Sequence, residues 1–437
     1  MLTELDVCGN AEESMFEILP RPFLKENNED IVMTVRGIIE EVREKGDEAL
    51  YEMTQRFDGS RPKTLSVKKP EMELALEQIS PELRVALEKA AENVRSYYSK
   101  HDLSSHETTR DGMTIKSRMV PVKSAGCYVP GGRAAYPSTV IMTAIPAEMA
   151  GVERVVIAVP PNENGEIPQS VLAAAAISGV QEVHPIGGAQ AIAALAYGTE
   201  EIKPVDVIVG PGNIYVSLAK QEVSNKVRVP SSFAGPSEVV VVADKTASAD
   251  LVAMDLIVQA EHGPDGLCWL VTWEKEFAEK VCLEIKEILK TSTRKEEIES
   301  TLSRSGYCVV VKNPQQALEV VEIVAPEHLQ IMTQEPEVLA EKVENAGAIF
   351  CGPWSPASLG DYIAGPSHVL PTAGTARFSG ALSVSDFLKE VHVVTASKET
   401  ISTLGKHAVV LAETEGLEAH AESIRKRIKK INEEENE

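Results

Sequence analysis

The sequence predicts an α/β protein built around parallel sheets, and three observations predict it. Short β-branched runs at Arg154 to Val159, Gln181 to Ile186, Val205 to Val209 and Glu238 to Ala243 alternate with alanine-rich helical stretches, as strands do with crossover helices in a parallel sheet. The alternation returns with Leu267 to Thr272, Tyr307 to Val311 and Ala348 to Cys351, separated by helical patterns at Lys275 to Lys290 and Pro314 to Val324. Glycine-bearing turns, Gly187-Gly188-Ala189-Gln190 and Gly210-Pro211-Gly212-Asn213, each follow one of these strands and precede a helix.

The elements before and after this region differ in texture. From about Asn28 to Leu103 the chain is charged and periodic, and segments such as Ile31 to Glu44 and Pro81 to Tyr98 place apolar residues three and four apart, predicting amphipathic helices. Near Lys116 glycine, proline and small apolar residues take over, which marks a candidate domain boundary. The chain ends in a predicted helix from about Glu415 to Ile431 and an acidic tail, Glu433 to Glu437. No residue-level repeat relates the two α/β stretches to each other.

Composition narrows the function. A chain of 437 residues has room for about three domains and an interdomain cleft. Lys plus Arg total 43 against 66 Asp plus Glu, and the net charge of -23 argues against nucleic acid as a partner. Six cysteines without a C-x-x-C pair fit neither a disulfide framework nor a zinc ribbon, so reduced thiols of a cytoplasmic protein are expected. The N-terminus carries acids where a signal peptide needs basic residues. The longest uncharged stretch, Val183 to Thr199, is too short and too interrupted for a membrane span.

The ordinary nucleotide motifs are missing. Gly210-Pro211-Gly212-Asn213-Ile214-Tyr215 has Tyr where G-x-G-x-x-G needs its third glycine, and no P-loop occurs. The two glycine turns are either tight βα connections or places where backbone N–H groups approach a phosphate; two of them at one end of a sheet favour a ligand. Gln259 and His262 share one face of a helix's last turn before Gly263, where they either hold a metal or leave His262 to interact with the helix C-terminus. Glu327-His328 sets a carboxylate beside an imidazole, the residue types suited to proton transfer near neutral pH. Gly360 to Thr372 reads as a long loop holding Asp361 and His368, and loops of that length are more often functional than passive. By pattern alone, Glu415 and His420 are solvated residues of the last helix.

Taken together, the ordered motifs resemble the histidinol dehydrogenase family, zinc-dependent and NAD-linked enzymes of histidine biosynthesis. The resemblance runs through Gly126-Cys127-Tyr128-Val129-Pro130-Gly131-Gly132, both glycine turns, Ala234-Gly235-Pro236-Ser237-Glu238, Gln259-Ala260-Glu261-His262, Pro326-Glu327-His328-Leu329, the Asp361 to Thr372 loop and Ala419-His420. It implies zinc held by Gln259, His262, Asp361 and His420, and dinucleotide contacts from Tyr128, Gln190 and Asn213. It implies Glu327 and His328 as the catalytic pair, with Ser237, His368 and Glu415 joining them and the metal ligands around the substrate. The implied reaction takes L-histidinol through L-histidinaldehyde to L-histidine with two NAD molecules, in a homodimer whose sites are completed by the partner's C-terminal segment.

The expected fold is then two incomplete Rossmann-like units with parallel sheets, plus N-terminal helices and a C-terminal helical extension. Residues 23–125 with 235–385 are expected to form one unit and 126–234 the other, with 1–22 and 386–437 as extensions. Two alternatives remain at this point. Ser367 stands where the family more usually has Asn, and relatives oxidise other small alcohols, a sulfonated propanediol among them; a non-catalytic nucleotide- or metal-binding protein would not need the Glu327-His328 couple.

Overall fold

The computed structural model describes residues 2–20, 29–101, 103–131, 134–230, 237–261, 263 and 266–435, without the side chains of residues 12, 13 and 16. The chain divides into two units, one of Met1–Lys100 with Val122–Phe387 and a smaller one of His101–Pro121 with Leu388–Glu437. In chain order the strands are β1 (Thr3–Asp6), β2 (Val67–Lys68), β3 (His106–Arg110), β4 (Met113–Pro121), β5 (Ser124–Tyr128), β6 (Arg154–Ala158) and β7 (Glu182–His184). They continue as β8 (Val207–Val209), β9 (Glu238–Ala243), β10 (Leu267–Thr272), β11 (Gly306–Val310), β12 (His328–Met332), β13 (Ala348–Cys351) and β14 (Leu388–Ala396).

The larger unit holds two sheets. One is six-stranded and wholly parallel, in the order β1-β11-β10-β9-β12-β13. The other is five-stranded, β2-β7-β6-β5-β8, parallel except for β2. Strand β9 shows why the β-branched runs form such sheets. Val239 and Val241 pack into one core with Leu256 and Leu270, while Val240 and Val242 pack into the opposite core with Trp269 and Ile331. A strand covered on both faces needs apolar residues at every position, and each buried valine contributes about 1.5 to 3 kcal/mol by transfer.

Helix Glu29–Lys45 departs from the expected grouping, while Pro81–Tyr98 keeps part of it, Asn93 donating to the Ile363 carbonyl at 2.7 Å and Tyr98 to the Leu382 carbonyl at 2.8 Å. Val35, Ile39 and Val42 of Glu29–Lys45 enter the core of the five-stranded sheet with Leu195 and Val216, rather than joining 235–385. Helix Lys69–Gln78 packs on Gln169–Ile177, and Pro81–Tyr98 on Pro137–Ala150. The physical reason is the apolar outer surface of the alanine-rich helices of that sheet, which an amphipathic stripe covers. Residues 1–22 are likewise not a mere extension: β1 adds a parallel edge to β11, and Val7, Met15 and Leu19 are buried in the six-stranded core.

The smaller unit contains an antiparallel sheet, β14-β4-β3, that the expectation of a helical C-terminal extension missed. Helices Lys398–Thr414 and Glu418–Glu434 follow it and pack on each other. Among the described residues no helix is long and apolar enough to cross a membrane.

Candidate active site

The five-stranded sheet offers the C-terminal ends of its strands. Tyr128 closes β5, Gly187-Gly188 follows β7 and Gly210 follows β8. Gly210 has φ +108, and a Cβ there would collide with the Tyr128 carbonyl oxygen, so no other residue fits the turn. The buried Tyr128 hydroxyl accepts a hydrogen bond from the Gly188 N–H at 3.1 Å, and burial pushes its pKa up to about 12. Asn213 caps helix Ile214–Val223, its side-chain oxygen accepting from the Val216 N–H at 3.1 Å. Behind this turn the fully buried Lys220 Nζ donates to the Gly210 carbonyl, and burial lowers its pKa to about 7.

The six-stranded sheet offers the opposite, N-terminal, ends. Glu238 opens β9 and His328 opens the neighbouring β12, with His328 in register with Val239. The chain reaches this point from helix Pro314–Val324 through Ala325, a non-glycine residue held at φ +49, and Pro326. The Glu238 N–H donates to Glu327 Oε2 at 2.8 Å, and the Glu327 N–H donates back to Glu238 Oε2 at 3.3 Å. Burial, followed by the charge of Glu327, pushes the Glu238 pKa up to about 8.

His328 is fixed at both nitrogens. Nδ1 donates to the Glu238 carbonyl at 3.0 Å and lies 3.4 Å from Glu327 Oε2, while Nε2 lies 3.6 Å from Asp361 Oδ1. Its ring stacks on Phe350 at 6.0 Å. Burial opposes protonation, but Glu327 and Asp361 outweigh it and raise the pKa well above 6.5. His368 is the contrasting case: Nδ1 donates to the Asp361 carbonyl at 2.9 Å, Nε2 accepts from the Thr139 hydroxyl at 3.1 Å, and burial lowers its pKa.

A cavity of about 280 Å³ opens between these two sets of strand ends. Asn213, Ser237, Gln259, Glu327, His328, Asp361 and His368 all line it. Tyr128 and Gln190 are buried and do not reach its surface. His262 lies outside the described residues, and Glu415 and His420 belong to the smaller unit, where both are exposed. Asp361 sits in the last turn of a short helix, Ala357–Tyr362, rather than in a loop. Among the described residues no group of three or more His, Cys, Asp or Glu is gathered as a metal site.

Several contributors had no sequence signal. Thr139 meets His368 across 229 positions, and Tyr136 and Ser138 also line the cavity; Tyr362 and Thr372 line it from within the marked loop. Ser367 is buried with its hydroxyl donating to the Met142 carbonyl at 2.9 Å, so this departure from the usual family residue does not line the cavity.

The model of one protein family, histidinol dehydrogenase, matches residues 23–428. The chain is 47% identical over 407 residues to histidinol dehydrogenase of Hydrogenovibrio crunogenus, covering 92% of this chain and 94% of that one. It is 45% identical over 411 residues to that of Geobacillus kaustophilus, covering 94% and 97%. The crystal structure of histidinol dehydrogenase from Elizabethkingia anophelis superimposes with a TM-score of 0.91 at 33% identity, over 99% of each chain. The chain belongs to the histidinol dehydrogenase family. The match spans both units, so the cavity, the turn that carries Glu415 and the helix that carries His420 are all parts of the histidinol dehydrogenase scaffold. The resemblance read from the motifs is therefore borne out.

Proposed function

We propose that this protein oxidises L-histidinol to L-histidine through L-histidinaldehyde, in two NAD-linked steps within the one cavity. The observation that carries the reading is the Glu327-His328 couple, buried side by side at the cavity wall with the two side chains in different settings. A binding module has no use for such a couple. His328 has Nδ1 engaged by a carbonyl, so once the ring is neutral, a form the raised pKa reserves for higher pH, Nε2 is the atom that takes the hydroxyl proton as the alcohol carbon loses hydride. Glu327, oriented by the Glu238 N–H, takes a proton from the water that attacks the aldehyde.

Of the proposed zinc ligands, Gln259 and Asp361 line the cavity with chemistry that suits the ion. The Gln259 Nε2 is buried without a hydrogen-bond partner among the described residues, and the side chain lines the cavity with Asp361. Amide oxygen and nitrogen exchange by a half-turn of the terminal torsion, which offers the metal an oxygen beside a carboxylate. Gln259, His262, Asp361 and His420 are the proposed ligands. Zinc, when bound, supplies positions for the substrate imidazole and amine nitrogens. NAD, when bound, supplies the hydride acceptor; Tyr128, Gln190 and Asn213 are its proposed contacts, of which Asn213 lines the cavity.

Ser237 and His368 are the remaining substrate-side residues of this unit. Glu415 and His420 are proposed to come from the second subunit of a homodimer, giving two shared sites. The test is turnover of L-histidinol by the zinc-loaded protein against a panel of small alcohols that includes a sulfonated propanediol. Preference for L-histidinol, abolished by chelation and restored by zinc, is expected; preference for another alcohol would overturn the substrate assignment.

A further inference from the structure

We infer that Glu238 is a positioning residue, its buried carboxyl pinning the main chain of Glu327 so that the Glu327 carboxylate faces the aldehyde step. The inference rests on the proposed role of Glu327 in activating water. Glu238 is 1% exposed and has no part in the ligand and substrate assignments above. Its side chain joins two segments that β9 alone would not hold together. Oε2 accepts from the Glu327 N–H at 3.3 Å, and Oε1 accepts from the Ala373 N–H at 2.8 Å. Ala373 is itself held at φ +56, next to the cavity residue Thr372.

Its main chain does the rest. The Glu238 N–H holds Glu327 Oε2 at 2.8 Å, and the Glu238 carbonyl receives His328 Nδ1 at 3.0 Å. One residue thus contacts both members of the catalytic couple, the backbone that carries Glu327, and the turn that carries Thr372.

Packing does not account for a carboxyl at this position. The rest of β9 is Val239 to Val242 and Ala243, all buried, and an apolar residue at its head would avoid the desolvation of a carboxyl. Burial and the charge of Glu327 push the Glu238 pKa up to about 8.

The test compares Glu238→Gln with Glu327→Gln in the zinc-loaded protein. It reads the first-NADH burst from L-histidinol, the turnover of added L-histidinaldehyde, and the KM for L-histidinol. The Glu238→Gln side chain keeps one acceptor, which the shorter Ala373 contact claims, and so turns an amide N–H₂ toward the Glu327 N–H; the pin is lost while the volume stays. Aldehyde turnover should fall by about tenfold or more, with the burst rate and KM within about threefold of the parent. Glu238→Asp, which keeps the carboxyl but shortens its reach, provides the same comparison if Glu238→Gln does not fold.

Equal losses in both steps and in KM, in a folded variant, would reduce Glu238 to a structural residue and overturn the inference. Unchanged aldehyde turnover would do the same. If Glu327→Gln itself spares the aldehyde step, the proposed role of Glu327 fails and this inference falls with it. A selective defect in Glu327→Gln without one in Glu238→Gln would overturn the positioning role alone.

Discussion

His328 Nδ1 lies 3.0 Å from the main-chain carbonyl oxygen of Glu238, and this contact decides which nitrogen can take a proton. A carbonyl only accepts, so Nδ1 carries the hydrogen and Nε2 is the atom left for the substrate. His328→Ala should slow both oxidations, by about 10²-fold or more, since each loses the same proton acceptor. Rates of the two half-reactions measured separately, together with zinc content, check this. A variant impaired in only one half-reaction would assign His328 to that step alone.

Lys220 and Gly210 form a second such relationship, beneath the turn that leads to Asn213. The Lys220 Nζ donates to the Gly210 carbonyl from a fully buried position, so the lysine braces the turn from inside the core. Lys220→Met retains the aliphatic stem and removes the donor. It should raise the KM for NAD by about tenfold through loosening of the turn, with the KM for L-histidinol unchanged. Steady-state kinetics with each substrate varied in turn test it; equal changes in both constants would detach Lys220 from the dinucleotide side.

His184 predicts how stability depends on pH. It is fully buried at the end of β7, with Nδ1 donating to the Leu65 carbonyl at 2.7 Å, and burial lowers its pKa below the ordinary 6.5. The folded protein therefore keeps His184 neutral in a range where the unfolded chain binds a proton. Stability should fall as pH drops below 6.5 toward the depressed folded value, by up to about 1.4 kcal/mol per pH unit from this group. His184→Asn preserves the donor to Leu65 and removes the titration, so its melting temperature should decline less between pH 7 and pH 5. A parallel decline in both proteins would exclude His184 as the source.

What the sequence revealed depends on whether a signal is local. Strand β9 and helix Pro81–Tyr98 were legible, the first as an unbroken β-branched run and the second from its apolar spacing. Strand β12 was not, because it opens on His328 directly after Pro326 and Glu327, and polar chemistry displaces the usual β pattern there. Strand β14 was hidden for another reason: it is largely exposed and packs little apolar surface, so its residues carry no strong alternation. In the cavity, short motifs marked Asn213, Gln259, Glu327, His328, Asp361 and His368. Thr139 and Glu238 escaped as partners because their contacts join positions 229 and 89 to 135 residues apart, which no local pattern encodes.

Shared sites can be tested by mixing two inactive variants. Glu327→Gln disables the catalytic couple of its own chain, and His420→Ala removes a proposed zinc ligand from the segment donated to the partner. If the donated segment completes the partner's site, heterodimers contain one site with both residues intact, and activity should return to about a quarter of the parent level for random pairing and equal expression. Total zinc should stay at about half the parent level throughout, because exchange redistributes the intact His420 segments without adding any. No recovery after demonstrated subunit exchange would mean that each chain completes its own site.

The central claim is that one cavity performs both oxidations on the same molecule, and the count of NADH formed per L-histidinol consumed tests it most directly. With limiting L-histidinol, excess NAD and bound zinc, the account predicts about two NADH for each molecule, with L-histidine as the product and no free aldehyde trapped. A count of about one NADH, with aldehyde or another product released, would contradict it.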